Sequence, residues 1–187
     1  MKIVIVLGSG NSGAGAIYDY LRSRTDFQAP FYGKEFRIVN DPNGLDQLYH
    51  SLYKNFSING SANSIEEFKK FIVNTYHSNY NKNLYLNKNL IKFSDLFIKR
   101  ISKTTYNGCP RFYLDKLTLI KKINFYLNRF IFMKNAKEIP MLQMTIPCEE
   151  KKFLEYAEEY FFSIFRSYKN FNEKKNIVIE QGGNFIN

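Results

Sequence analysis

The sequence contains no tryptophan, two cysteines, two histidines and five prolines in 187 residues. Cys109 and Cys148 stand far apart with no metal-ligand spacing. That excludes a disulfide scaffold and points to a reduced, cytoplasmic protein. His50 and His77 both fall in helical patterns, away from any Cys or Asp pattern. Neither a zinc site nor a Ser-His-Asp or Cys-His arrangement can be argued from them, and no metal is expected. No run approaches ~18 apolar residues, so no membrane span is expected. The N-terminus lacks the cationic flank and small-residue cleavage site of a signal peptide. Acids are also scarce: 17 Asp and Glu face 27 Lys and Arg, for a net charge of +10. Such charge suits nucleic acid, an anionic membrane face or a polyanionic substrate. The cations are spread along the chain and no nucleic-acid module appears, so no nucleic acid is expected.

What is present is globular. Hydrophobic residues make up 44% and aromatics 17%, and the length suffices for one domain with a proper core. There are no internal repeats and no low-complexity linker. Lys2 to Leu7 (KIVIVL) has the composition of a strand buried on both faces. It runs into Gly8-Ser9-Gly10-Asn11-Ser12-Gly13-Ala14-Gly15, and then into Ala16 to Arg22, where Ile17, Tyr20 and Leu21 have helical spacing. Strand, glycine loop and helix in that order form an anion site. Glycines permit a tight turn and close approach to a ligand. The free amides and positive end of the helix dipole then face a phosphate.

Several phosphate-binding patterns compete. Gly8-x-Gly10-x-x-Gly13 fits the dinucleotide fingerprint, which also wants an acid about 20 residues on for the ribose. Asp41 is late for that role, and Glu35 sits where the next extended segment starts. Gly8-x-x-x-x-Gly13 is also P-loop spacing, but Ala14 and Gly15 replace the Lys and Ser/Thr of a nucleotidase. The loop resembles the 5′-phosphosulfate loop of P-loop sulfotransferases, broadly G-x-x-[RK]-[ST]-G-[TS]-[TS]-x-L. Gly8, Ser12, Gly13 and Ile17 fall on that pattern. Asn11 stands where the family has a cation, and Ala14 and Gly15 replace hydroxyls.

The resemblance implies a P-loop NTPase-like three-layer α/β fold, with Gly8 to Gly15 binding 3′-phosphoadenylyl sulfate without Mg²⁺. It implies sulfuryl transfer to a hydroxyl acceptor, such as an anionic bacterial glycan. Several branches place a Glu-Phe segment about as far beyond the loop as Glu35-Phe36, and that Glu serves as the catalytic base. Glu180-Gln181-Gly182-Gly183-Asn184-Phe185 looks like the family's E-K-[ST]-P-x-Y/F segment, with Gln181 for Lys and Gly183 for Pro. An ordinary strand end is the simpler account of it. The family's 3′-phosphate site has no counterpart here, and the chain is expected to be incomplete at its C-terminus. Two alternatives stay open: a Rossmann-type NAD(P)-binding domain of an oxidoreductase, and a non-catalytic nucleotide-binding fragment.

The remaining chain predicts a parallel sheet interrupted by a mostly helical insert over 41–172, within one domain. Phe31 to Asn40 is predicted as a second strand, and Asp41-Pro42-Asn43-Gly44 as a turn. Helices are expected through Leu45, Leu48, Leu52 and Phe56, and from a Ser64-x-x-Glu67 capping box through Phe68 and Ile72. Further helices are expected over Leu90–Ile101, Leu114–Met133 and Cys148–Phe171. Asn59–Asn63, Asn79–Asn89 and Thr104–Pro110 read as loops or breaks. Ile139 to Pro147 reads as irregular or briefly extended, and Lys175–Gln181 returns to the buried-strand type.

Overall fold

The computed structural model describes residues 2–8, 12–30, 36–77, 87–108, 115, 117–130, 142–168 and 170–182. In chain order the elements are β1 (Ile3–Gly8), α1 (Ala14–Ser23), β2 (Phe27–Gln28), α2 (Leu45–Tyr49, continued as a π turn over His50–Lys54), α3 (Ile58–His77), α4 (Asn87–Ile101), β3 (Ser102–Gly108), α5 (Leu119–Phe130), β4 (Leu142–Pro147), α6 (Glu150–Arg166) and β5 (Asn176–Gly182). The fold is mixed α/β. β1, β5 and β2 form a parallel sheet in that spatial order, and β3 pairs antiparallel with β4.

β5 is the central strand because its residues can be buried on both faces. Ile177 and Ile179 join a large cluster built mainly from α2, α3, α4 and α6. Between them, Val178 points the other way and meets Val6, Tyr18 and Ala29. A β-branched run of this kind loses little by being covered on both sides. Helices therefore lie against both faces of β5. Polar side chains fix its start. Asn176 Oδ1 accepts from the Lys2 amide at 2.9 Å. The Gln28 side chain donates to the Asn172 carbonyl at 2.8 Å and accepts from its amide at 2.9 Å.

β1 does not meet the expectation of two buried faces. The register pairs Ile3 with Ile177, Ile5 with Ile179 and Leu7 with Gln181, so these three share the large cluster's face. All three are exposed, and only Val6 of the strand is buried. The helices cover β5 on that side and stop short of β1. In α1 the buried side chain is Tyr18, with Leu21 and Ala14 beside it, while Ile17 and Tyr20 point to solvent.

The second strand is also displaced. The sequence predicts it at Phe31–Asn40, of which 31–35 lie outside the described residues. Residues 36–40 are not a strand; β2 is the earlier pair Phe27–Gln28. Phe36 and Ile38 go into the helical cluster instead. The expected turn is present, with Asn43 at φ 65° and the Gly44 amide donating to the Asp41 carbonyl at 2.7 Å.

The expected loop at Asn59–Asn63 is helical, part of α3. Ser57 caps that helix, its Oγ accepting from the Gly60 amide at 3.0 Å. Ser61 and Ala62 are buried against β4, and Ser61 Oγ donates to the Thr145 carbonyl at 3.1 Å. Small residues allow that approach, so packing overrides the poor helix propensity of Asn59, Gly60 and Ser61. Ser64 is consequently mid-helix, bonded to Ser51 rather than capping. The break expected from Thr104 is the strand β3. Asn87–Asn89 begin α4, while 79–86 are outside the described residues. Phe56, expected on the apolar face with Leu48 and Leu52, is exposed, as are Leu96 in α4 and Leu154 in α6. In α6 the buried positions include Phe153, Ala157, Tyr160, Ile164 and Phe165.

Candidate functional site

The glycine loop sits where β1 ends and α1 begins. Gly13 is the N-cap of α1, at φ 80° and ψ 3°. A residue with a Cβ is disfavoured in this left-handed region by about 1–2 kcal/mol, and glycine is not. The Gly13 carbonyl accepts from the amides of Ala16 at 3.1 Å and Ile17 at 3.3 Å. The amides of Ala14 and Gly15 find no acceptor among the described residues. Gly13 offers no side-chain cap, and no acid lies in the first turn of the helix. Among the described residues, two backbone donors are thus left without an acceptor at the positive end of the helix dipole.

Gly8 closes the other side of the turn. A Cβ built there would lie 2.3 Å from both the Ala14 Cβ and the Ser12 Oγ. The loop folds directly over the end of β1, and only glycine leaves it room. Around Gly13, by contrast, a Cβ would meet nothing within 4 Å. The turn is tight on its strand side and open on its helix side.

β5 brings more chemistry to the same place. It runs parallel to β1 and pairs Gly182 with Gly8. Glu180, half-buried, reaches α1: its Oε1 lies 3.6 Å from where a Gly15 Cβ would be. The Glu180 carbonyl accepts from the Phe36 amide at 2.8 Å. Phe36 is therefore tied to the carboxyl end of the sheet, where open parallel sheets bind ligands.

Tyr18, packed on Val6 and Val178, is 3% exposed, and its hydroxyl has no hydrogen-bond partner among the described residues. Burial, and then the charge of Glu180, push its pKa up to about 12. A buried hydroxyl left unpaired costs stability unless something else engages it.

Of the residues expected in the site, Gly8, Ser12, Gly13, Ala14 and Gly15 come together at this turn. Ser9, Gly10, Asn11 and Glu35 lie outside the described residues, as do Gly183, Asn184 and Phe185. Asp41, weighed for a ribose hydroxyl, sits in a turn with Arg37 Nε 2.9 Å from its Oδ1. His50 is exposed, 3.8 Å from Asp46. Cys148 is a free thiol within reach of the Tyr53 hydroxyl. Among the described residues no three His, Cys, Asp or Glu stand together as a metal-binding group.

Glu180 and Tyr18 carry no strong sequence signal. Two hints mark Glu180, an acid directly after the apolar run Ile177–Ile179 and the first position of the segment that looks like E-K-[ST]-P-x-Y/F, and neither says that it reaches Gly15. Tyr18 is hidden by the neighbouring Ile17 and Tyr20, which offer an equally good helical stripe. No family model, no curated protein and no solved structure matches this chain.

Proposed function

We propose that this chain is a sulfotransferase-like domain that takes 3′-phosphoadenylyl sulfate and transfers its sulfuryl group to a hydroxyl acceptor. The observation that carries the reading is the pair of amides at Ala14 and Gly15, with no acceptor among the described residues, set behind a left-handed Gly13 and a Gly8 with no room for a side chain. Amides so placed fit a 5′-phosphosulfate, which the helix dipole also favours. Sequence adds the loop pattern through Gly8, Ser12, Gly13 and Ile17.

In the reaction the acceptor oxygen attacks sulfur and the bond from sulfur to the 5′-phosphate oxygen breaks. Adenosine 3′,5′-bisphosphate leaves. The acceptor proton must go to a base, and a carboxylate held near the turn suits that task. Glu35 is the base implied by the resemblance; it directly precedes Phe36, whose amide is bonded to Glu180. Glu180 is a second carboxylate at the same end of the sheet. The amides of Ala14 and Gly15 would stabilise charge on the departing phosphate.

Strand order bears on the dinucleotide alternative. Rossmann and flavodoxin-like sheets place β1 beside β2. Here the third parallel strand, β5, lies between them.

Calorimetry with adenosine 3′,5′-bisphosphate tests the reading. A saturable heat that weakens in Gly8→Ala is expected, and no heat with well-folded protein overturns it. Tight binding of a nicotinamide nucleotide instead would favour the dinucleotide reading. Binding without transfer to any hydroxyl acceptor would leave a non-catalytic nucleotide binder. Glu35→Gln and Glu180→Gln, compared for turnover, separate the two candidate bases.

A further inference from the structure

The glycine turn has a carboxylate beside it. Val178 of β5 packs against Tyr18 of α1, and alternate residues of a strand share a face. Glu180, two positions on, therefore faces α1 as well. Its Oε1 lies 3.6 Å from where a Gly15 Cβ would be. Among the described residues its carboxylate has no ion pair and no side-chain hydrogen bond. Gly13 and Gly15 are exposed, so an anion can reach the helix amides from solvent. An anion held there meets the charge of Glu180, and like charges so close disfavour each other. The repulsion is relieved when the carboxylate turns toward another donor.

That donor is in place. Tyr18 stands one turn after Gly15 on α1, about 4.5 Å along the axis, and Glu180 stands about 7 Å beyond Val178 along β5. The steps from Tyr18 to Gly15 and from Val178 to Glu180 lead to the same end of the sheet. Helix side chains lean toward the N-terminus of their helix, which carries the Tyr18 ring back over Ala14, packed beside it. Tyr18 is 3% exposed, and its hydroxyl has no partner among the described residues. Burial, and after it the charge of Glu180, raises the pKa of that hydroxyl. Arg22 lies one turn the other way along α1, and its Nη2 donates to Asp19 at 3.1 Å.

We propose that Tyr18 is a positioning residue of the anion turn: its hydroxyl donates to the Glu180 carboxylate when an anion occupies the Ala14 and Gly15 amides, and so holds that carboxylate clear of the ligand. In this structure Glu180 lies beside Gly15 and the Tyr18 hydroxyl has no partner among the described residues. With an anion on the amides, each of the two side chains gains one. A hydrogen bond to a charged group is worth more than one between neutral groups, so the exchange favours the ligand. The inference rests on the anion-site part of the function proposed above, and not on the identity of the nucleotide.

Calorimetry of the full chain with inorganic pyrophosphate tests it. The wild type is expected to bind saturably, and Tyr18→Phe about tenfold more weakly, the worth of a hydrogen bond to a charged group. Adding Glu180→Gln to Tyr18→Phe should restore binding, because the neutral side chain no longer repels the anion. In the Glu180→Gln background the loss of the Tyr18 hydroxyl should therefore matter much less. Urea unfolding without pyrophosphate should find Tyr18→Phe at least as stable as the wild type, since the lost hydroxyl is unpaired. Equal weakening by Tyr18→Phe in both backgrounds would make the tyrosine merely structural and overturn the proposal. Wild-type affinity in Tyr18→Phe would overturn it too, as would a folded wild type that gives no heat. The expected pattern without any binding of adenosine 3′,5′-bisphosphate would sustain this inference while the sulfotransferase reading failed. Bisphosphate binding that Tyr18→Phe leaves unchanged would overturn this inference and leave that reading standing.

Discussion

Replacing Gly13 with alanine isolates the backbone contribution of the loop. Nothing lies within 4 Å of the added Cβ, so steric clash with neighbours is absent and the cost is that of the left-handed φ of 80°. That cost is about 1–2 kcal/mol for a residue with a Cβ. Alanine also narrows the unfolded ensemble, which offsets the loss by about 0.4–1 kcal/mol. The net expectation is a destabilisation of about 1 kcal/mol, or a fall of about 2–4 °C in Tm for a chain of this size. Gly13→Asn should lose less, because asparagine tolerates this region better. Gly8→Ala should lose more, about 1–3 kcal/mol, since its Cβ would lie 2.3 Å from two atoms of the loop. Urea unfolding of the three variants gives the order directly. A Gly13→Ala protein as stable as the wild type would refute the left-handed cap. The assignment of Ala14 and Gly15 as free donors would fall with it.

Three further outcomes follow from the packing. Phe68→Ala should cost about 3–5 kcal/mol in urea unfolding, because the ring is fully buried and lies 6.4 Å from that of Phe97. Thr145→Val should be neutral or stabilising by about 1 kcal/mol: its buried Oγ1 has no partner among the described residues, and the bond from Ser61 goes to its carbonyl, which the change leaves intact. Tyr18 has a folded pKa of about 12 against an ordinary 10.0. Above pH ~10 its hydroxyl ionises in the unfolded chain before it does in the folded one. Its contribution to stability is therefore whole below pH ~10 and lost between pH ~10 and ~12, amounting to roughly 2–3 kcal/mol. Tyr18→Phe should lose less stability than the wild type across that window, and parallel curves for the two proteins would contradict the shift.

The parts of the fold legible in the sequence are those where local pattern and tertiary demand agree. Ile177-Val178-Ile179 reads as a strand covered on both faces and is one. The same reasoning fails for Ile3, Ile5 and Leu7, because apolar composition does not say whether a strand will be central or lie at an edge. The order of strands depends on pairing across the whole chain, which no local pattern carries. Stripes mislead for a related reason. In α1 and α5 two apolar faces compete, and the winning one is set by what lies opposite: Tyr18 meets Val178, and Phe125 is buried while Ile123 is not. The small residues Ser61 and Ala62 resemble a loop only until β4 is seen to need small side chains against it. Of the site, the turn was legible because glycine spacing reflects backbone geometry. Glu180 was not, since its approach to Gly15 is made by a strand that arrives 165 positions later.

That late arrival decides how the turn can be built. Among the described residues β1 and β2 do not pair with each other; each pairs with β5. The bond from the Lys2 amide to Asn176 spans 174 positions. Closing so long a loop costs entropy before any contact compensates it, and Val6 and Tyr18 acquire their shared partner, Val178, only once it is closed. The face of β5 opposite α1 is gripped by the helical cluster through Ile177 and Ile179. The helices thus hold the strand that aligns the end of β1 with Glu180 and the Phe36 segment. An isolated peptide spanning β1 and α1 would have the glycines and the helix dipole without the sheet that orders them. The anion-binding geometry belongs to the folded chain, and its dependence on distant core residues such as Phe68 runs through β5.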